Sequence, residues 1–254
     1  MIHFSSFSST HLATMKKRHL LVSALSLTSL LSLTLSIPSV WFISQLGDPR
    51  GFILIEGAKM QSSYNLLTAD SLCTCRRQCI TLPRCVAASF VAWQHSNECQ
   101  LSTADINSTH FTLQEDSWLM MWRTMKGIRF WIANDGRLYL WLQQLVPVSE
   151  AQAACQRIPG FHLGVYSTRR SFYVIKNFYE KDGTDVAVNL NLVDGQPTWA
   201  DGTSHYDTHI FSIYGIMLGK DSYFKLSAGV IRNTAGSELA RVLCQADPMT
   251  GRIW

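Results

Sequence analysis

Residues 73–85 read CTCRRQCITLPRC, and together with Cys99 they bring five of the chain's seven cysteines into 27 residues. The other two, Cys155 and Cys244, stand far apart in the remaining sequence. No further cysteine or histidine pair at zinc-finger spacing accompanies this cluster, so we interpret it as a disulfide framework in an oxidising compartment. Because seven is an odd number, at least one thiol has no partner within the chain.

The cysteine cluster is predicted to begin on a short helix within a small sheet. Residues 70–71 offer N-cap oxygens, and the helix should run through Ile80. On that helix Cys75 and Cys79 are four residues apart and share one face, whereas Cys73 points to the outer face. Strands are predicted around the helix at 52–55, 86–92, 98–101 and 117–123.

This pattern, which ends in the ECQL run at 98–101, resembles the PAN/apple domain over residues 51–123. The resemblance implies the disulfides Cys75–Cys99 and Cys79–Cys85. In this pairing Cys73 has no disulfide partner. Cys73 could instead take the place of Cys75 in the bond to Cys99. The additional outer bridge of full apple domains is absent.

The remaining residues, 124–254, show mixed helix and strand signals. The Asn-Asp-Gly tripeptide at 134–136 lies between two apolar runs and predicts a hairpin. A capping box at Ser149-Glu-Ala-Gln152 predicts a helix to Ile158, and a second helix should run from about Thr168 to Glu180. The segment Arg241–Cys244 is predicted to be the last strand.

The order of these elements resembles the C-type lectin-like domain. The matching segments are Cys155 in the first helix, Val188-Asn-Leu190, Trp199-Ala-Asp-Gly202 and the terminal Val-Leu-Cys244. The resemblance implies a Cys155–Cys244 disulfide between the first helix and the last strand. Val148 replaces a usual tryptophan, and Gly236 stands where the later cysteine of the family's second disulfide would be. We therefore predict an α+β chain of two small disulfide-stabilised domains, 51–123 and 124–254.

The region between Asp201 and Arg241 decides whether calcium is expected. Calcium-dependent sugar sites of this family use a Glu-Pro-Asn or Gln-Pro-Asp triplet and an Asn-Asp pair on the next strand. Here no proline occurs between Pro197 and Pro248, and the strand in question reads IRNTA at 231–235. Because Ca²⁺ takes about six to eight oxygen ligands, we predict no calcium, no other metal and no cofactor.

An apolar segment precedes both regions. Residues 20–43 contain no ionisable side chain and follow the basic tripeptide at 16–18. We divide the N-terminus into a cytoplasmic or n-region at 1–19, a signal-anchor or signal peptide at 20–43 and a linker at 44–50. The length favours a type II single-pass membrane anchor, whereas small-residue sites at 34–39 would suit cleavage and secretion. Either way the rest of the chain lies on the extracellular side.

Charge and motifs exclude several functions. The formal net charge is +4, and without the three basic residues at 16–18 it falls to +1. A nucleic-acid partner, which needs a clustered basic face, is therefore not expected. No Gly-x-Ser-x-Gly elbow is present, so we expect no catalytic residues and no enzyme. Tryptophans predicted to pack in the core rather than to bind sugars are Trp93, Trp118, Trp122, Trp131, Trp141 and Trp199.

The sequence thus predicts a non-enzymatic extracellular recognition or adhesion protein. Its ligand would be a protein or a carbohydrate, bound without calcium through the loops between Asp201 and Arg241. The alternative is a structural or assembly protein, in which the apple module and Cys73 form a disulfide-linked homodimer. Asn107-Ser-Thr109 is a glycosylation sequon. The two resemblances also fit innate immune recognition in an invertebrate.

Overall fold

Two β-sheets carry the fold of the described residues. The computed structural model describes residues 38–43, 51–93, 96–208, 215–219 and 221–249, which belong to one unit. The apolar segment up to residue 37 and the linker at 44–50 lie outside the described residues. Within the described ranges, no helix is both long enough and apolar enough to cross a bilayer.

The first sheet is antiparallel and contains, within the described residues, six strands. They are β1 (Val40–Ile43), β2 (Phe52–Met60), β3 (Asn65–Thr68), β4 (Ala87–Val91), β5 (Glu98–Ser102) and β6 (Phe111–Trp122). Their spatial order is β1-β2-β6-β4-β5-β3. Where β2 and β6 pair at 52–55 and 119–122, both faces are buried, because the helix Leu72–Thr81 covers one face and the second sheet covers the other.

The helix α1 (Leu72–Thr81) covers one face of this sheet. It begins where the Ser71 hydroxyl accepts a hydrogen bond from the Thr74 amide at 3.2 Å, and it ends at Leu82, just before Pro83. Its buried positions are Cys75 and Cys79. Both are disulfide-bonded, so the helix is fixed to the sheet covalently as well as by packing.

The strand β1 corrects the predicted end of the apolar segment. Val40–Ile43 pairs with β2 in antiparallel register, from Val40 opposite Ile55 to Ile43 opposite Phe52. The Val40 carbonyl also accepts a hydrogen bond from the Met249 amide at 2.7 Å. The prediction that the segment extends to Ile43 is therefore wrong, because these four residues are part of the folded sheet. An apolar run of this length suits a buried strand as well as a membrane segment.

The second sheet contains, in the described part of the chain, eight strands. They are β7 (Ile128–Ile132), β8 (Leu138–Pro147), β9 (His162–Leu163), β10 (Val186–Val188), β13 (Ile216–Met217), β14 (Tyr223–Ser227), β15 (Val230–Thr234) and β16 (Leu239–Ala246), and a separate hairpin is formed by β11 (Leu190–Val193) and β12 (Gln196–Trp199). The order is β13-β15-β14-β10-β16-β8-β7, with β9 paired to β16. The edges β13 and β7 are thus at opposite ends of the sheet.

Two α-helices accompany this sheet. The helix α2 (Ala151–Gln156) follows a 3₁₀ turn at Val148–Glu150. The capping box predicted at Ser149 is wrong, because the Ser149 hydroxyl donates to the Gly236 carbonyl at 3.0 Å instead. The helix α3 (Arg169–Asp182) has a Thr168–Ser171 capping box and ends at Gly183, whose φ of 68° suits a glycine at that position.

One hydrophobic core joins the two predicted domains. Ile53 and Ile55 of β2 point into the same cluster as Leu140 of β8 and Val242 of β16. The neighbouring residues of β2, Phe52 and Leu54, point the other way, toward α1. Residues 51–123 and 124–254 each form their own sheet, but the two sheets are packed face to face.

Candidate functional site

The predicted cysteine residues lie in three disulfides, and one remains free. The structure joins Cys75 to Cys99, Cys79 to Cys85 and Cys155 to Cys244. The last bond ties α2 to β16 and closes the longest loop, with a sequence separation of 89. Cys73 is exposed, and it is the free cysteine among the described residues. Three disulfides indicate an oxidising, extracellular compartment.

The sequon residue Asn107 is exposed on a short turn near the junction of the two sheets. The Asp105 carboxylate caps this turn by accepting hydrogen bonds from the amides of Asn107 and Ser108 at 3.1 and 2.9 Å. Asp105 also accepts a hydrogen bond from the Ser108 hydroxyl at 2.7 Å. This bond, and to a lesser extent the two amide bonds, lowers the pKa of Asp105. Arg157, after α2, donates to the Asn107 carbonyl at 3.3 Å. The sequon therefore lies on a surface turn with a fixed backbone.

The region after β12 begins with a tightly held turn. Gly202 donates its amide to the Trp199 carbonyl at 2.8 Å, while Trp199 itself is buried. The Asp201 carboxylate accepts from the Ser167 hydroxyl at 2.6 Å and from the Thr203 amide at 2.9 Å. Burial alone would raise the pKa of Asp201, but these hydrogen bonds outweigh it and lower the pKa. Asp201 thus serves to join two loops.

A fully buried histidine follows this turn. His205 packs against Trp199 with ring centroids 5.8 Å apart. Desolvation lowers the pKa of His205, which favours its neutral form. His205 is therefore part of the core beneath the loops rather than an exposed ligand.

The side chain of Asn233 fixes the connection between β13 and β14. Its Oδ1 accepts a hydrogen bond from the Gly219 amide at 2.7 Å, and its Nδ2 donates to the Asp221 carbonyl. Asn233 lies on β15, next to the edge strand β13. Here both polar atoms of the amide are bonded to loop backbone, so the residue organises the loop.

Gly236 allows a tyrosine ring to approach the backbone. A Cβ built at Gly236 would stand 2.9 Å from Tyr223 Cε2 and 2.9 Å from the Cβ of Ser149. The Tyr223 ring therefore occupies the space that a side chain at position 236 would take. Because the ring rests on the backbone, Tyr223 is held in one place although 43% of it is exposed.

Exposed apolar side chains lie beside Asn233 and Tyr223. Met217 and Leu218 precede Gly219 and are 63% and 47% exposed. We call the exposed residues Met217, Leu218 and Tyr223, together with the Asn233 side chain that holds their connecting loop from the opposite face of the strands, the loop face. A rigid surface with exposed apolar groups suits ligand binding, because little conformational entropy is lost when the ligand arrives.

A buried charge cluster supports the strands below the loop face. Lys225 of β14 is only 3% exposed, and its Nζ lies 2.6 Å from both Asp185 Oδ2 and Glu238 Oε2. Burial would lower the pKa of Lys225, but the two carboxylates raise it, and the hydrogen bond from Lys225 lowers the pKa of Glu238 to about 2. Arg232 adds a second cation, 3.5 Å from Glu238. Sequence reasoning missed this cluster, because its members are separated along the chain.

No metal centre stands out in the described part of the chain. Among those residues, no group of three or more His, Cys, Asp or Glu side chains is placed to hold an ion.

Solved structures similar to this chain cover about half of it. No protein-family model matches the chain, and no curated protein matches it. Among solved structures, the chain is similar to TC14, a C-type lectin from the tunicate Polyandrocarpa misakiensis, with 17% identity over 43% of this chain and 96% of that one, at a TM-score of 0.36. It is similar to the C-type lectin CEL-I from Cucumaria echinata, with 18% identity, coverages of 45% and 93%, and a TM-score of 0.36. It is also similar to the carbohydrate-recognition domain of the mouse scavenger receptor C-type lectin, with 13% identity, coverages of 50% and 98%, and a TM-score of 0.37.

Proposed function

We propose that this chain is a non-enzymatic extracellular recognition protein that binds a protein or carbohydrate ligand through the loop face without calcium. In this proposal residues 124–254 are a C-type lectin-like module, and residues 51–123 are a PAN/apple module that supports it. The helix-to-last-strand disulfide Cys155–Cys244 supports the first assignment. The helix disulfides Cys75–Cys99 and Cys79–Cys85 support the second.

The observation that carries the proposal is that both polar atoms of the Asn233 side chain are hydrogen-bonded to backbone atoms of the neighbouring loop. A calcium ion needs side-chain oxygens that are free to coordinate it. Asn233 Oδ1 instead accepts from Gly219 at 2.7 Å, and Nδ2 is bonded to Asp221. The same bonds tie Gly219 and Asp221 to β15. The side-chain oxygen of Asn233 is thus already used within the protein, which supports recognition without calcium.

The test is a glycan array probed with the full-length protein, with and without EDTA. We expect the same set of bound glycans in both conditions. Asn233→Ala should weaken that binding, because it releases the backbone of residues 219–221. Asn65→Ala is the matched control, since Asn65 is likewise half-buried but lies on β3 of the other sheet. Binding that is lost in EDTA, or that is unchanged in the Asn233→Ala variant, would contradict the proposal.

The second candidate is a structural or assembly role through Cys73. The observation that favours it is the exposure of this thiol on the outer face of α1, opposite the buried Cys75 and Cys79. An exposed thiol in an oxidising compartment is available for an intermolecular disulfide. Glycosylation at Asn107 and a membrane anchor ahead of β1 are compatible with both candidates.

A further inference from the structure

A groove separates α3 from the hairpin of β7 and β8. Its volume is about 700 Å³, within the range of about 300–1,000 Å³ typical of ligand pockets. Trp131 and Trp141 line it from the hairpin, and Tyr173 lines it from the helix. We call this the aromatic groove. It lies at the β7 edge of the second sheet, whereas the loop face lies at the β13 edge, so the two surfaces are separate.

The rings of the aromatic groove are fixed by their neighbours. Trp141 packs edge-on against Phe178 at 5.0 Å and has the guanidinium groups of Arg129 and Arg241 over its ring at 5.4 and 5.7 Å. Trp131 stacks on Tyr139 at 6.0 Å and on Phe178 at 6.5 Å. Both tryptophans remain half-buried, and Tyr173 is 40% exposed. Aromatic side chains held in this way offer large, rigid contact surfaces at a low cost in conformational entropy. Such surfaces suit a ligand with flat apolar faces and polar edges, as a sugar ring has.

Cations surround the rings. Arg170 and Lys181 both line the groove, and since 11 residues make three helical turns they lie on one side of α3, about 16 Å apart along its axis. Arg129 lines the opposite wall, with its guanidinium carbon 5.4 Å from the centre of the Trp141 ring. Within the described residues, none of these three cations forms a salt bridge. The ligand should therefore carry acidic groups at more than one point.

The acid in the lining is already neutralised. The Asp182 carboxylate lies 3.2 Å from Arg241 Nε. It therefore does not cancel the positive charge that Arg129, Arg170 and Lys181 present to the groove. An uncharged apolar ligand would force these cations to lose water without a partner, which is unfavourable.

We propose that the aromatic groove binds an anionic oligosaccharide. The sugar rings lie against Tyr173 and the two tryptophans, and sulfate or carboxylate groups pair with Arg170, Lys181 and Arg129. The spacing of Arg170 and Lys181 calls for a chain of several sugars rather than a single anion. A nucleic acid fits less well, because its binding requires a more extensive basic surface than three cations. This site is independent of the loop face and of its proposed function.

The experiment measures binding of the full-length protein to three probes by calorimetry in EDTA. The probes are a heparin tetrasaccharide, its desulfated counterpart and a tetragalacturonate, so that sulfate and carboxylate can be distinguished as the acidic group. All three probes are anionic, because desulfated heparin keeps its uronate carboxylates, and we expect their affinities to follow their charge, with the sulfated tetrasaccharide binding most tightly. Arg170→Gln with Lys181→Gln should weaken that binding by about tenfold, since it removes two ion pairs.

Matched variants separate this site from general charge effects. Arg84→Gln with Arg77→Gln removes the same charge from exposed positions outside the groove and should change affinity by less than about twofold. Tyr173→Ala should weaken binding, whereas Tyr173→Phe should preserve it, because the ring is retained. Asn233→Ala, on the loop face, should have no effect, so a failure of the loop-face proposal would leave this result intact.

Three results would overturn the inference. The first is that none of the probes binds. The second is that the control pair weakens binding as much as the groove pair. The third is that a single-stranded oligonucleotide of equal charge binds as tightly as the sugars and is equally sensitive to Arg170→Gln with Lys181→Gln. That last outcome would define a polyanion surface without selectivity for sugars.

Discussion

The ring of Tyr223 lies directly over Gly236, so close that a Cβ at position 236 would stand 2.9 Å from Tyr223 Cε2. The same Cβ would stand 2.9 Å from the Cβ of Ser149, which cannot move away as a ring can. The absence of a side chain at Gly236 therefore determines where Tyr223 sits on the loop face.

Gly236→Ala should destabilise the fold by about 1–3 kcal/mol, because overpacking forces neighbours to shift. Gly215→Ala is the matched control, since nothing lies within 4 Å of a Cβ at that position. Thermal unfolding of both variants measures the difference. In a double-mutant cycle, Tyr223→Ala should recover part of the loss at Gly236→Ala. Equal melting temperatures for the two glycine variants would show that the contact is not tight.

Gly160→Ala tests whether β1 packs against the segment that contains Gly160. Gly160 has a φ of 81°, and a Cβ there would stand 2.4 Å from Val40 Cγ2 and 3.2 Å from the Pro38 carbonyl. Gly136 has a φ of 84° with open space around it, so Gly136→Ala reports the backbone strain alone, about 1–2 kcal/mol. Urea unfolding should show a larger loss for Gly160→Ala. If the losses are equal, Val40 does not pack there.

Several local features could be predicted from the sequence because short-range chemistry determines them. The hairpin around the tripeptide at 134–136 is present between β7 and β8. The helix predicted from Thr168 to Glu180 is α3, which extends to Asp182. Strong apolar periodicity, a capping residue and a terminal glycine all act within one or two turns, so they can be recognised without knowing the fold.

Long-range features could not be predicted in the same way. The Ser149 hydroxyl bonds to Gly236, 87 residues away, so the local capping pattern was misleading. Val40–Ile43 has the composition of both a strand and a membrane segment, and only its pairing with β2 decides between them. The aromatic groove likewise depends on α3 packing beside the hairpin. Trp122 and Trp199 are buried as predicted, whereas Trp131 and Trp141 are half-buried in that groove and Trp118 is half-buried on β6. The core prediction is wrong for Trp93, which is 51% exposed because it follows the end of β4.

The charge cluster around Lys225 predicts acid sensitivity. The pKa of Glu238 is about 2 in the folded protein, against an ordinary value of 4.5. A carboxyl group with a lowered folded pKa contributes stability that is present above its unfolded pKa and is lost as the pH falls toward the folded value. The urea midpoint should therefore fall between pH 5 and about pH 2, and less steeply in Glu238→Gln. Glu115→Gln, an exposed position on β6, should retain the wild-type slope.

Cys73 predicts a covalent dimer. The thiol is exposed, whereas all six other cysteines are in disulfides. On a non-reducing gel the wild-type protein should migrate as a dimer, and Cys73→Ser as a monomer. A two-fold arrangement is the simplest geometry, because one self-complementary patch suffices. A monomeric wild type, or a covalent dimer of the Ser variant, would rule out this role for Cys73.

Thermal unfolding in calcium and in excess EDTA tests the central claim, recognition without calcium, most directly. A calcium ion present at about 100 times its dissociation constant would stabilise the folded state by about 2.7 kcal/mol. For a domain of this size, that corresponds to a shift in melting temperature of roughly 5–10 °C. Because Asn233 is bonded to Gly219 and Asp221, we predict equal melting temperatures in the two conditions. A drop of several degrees in EDTA that calcium reverses would contradict the account.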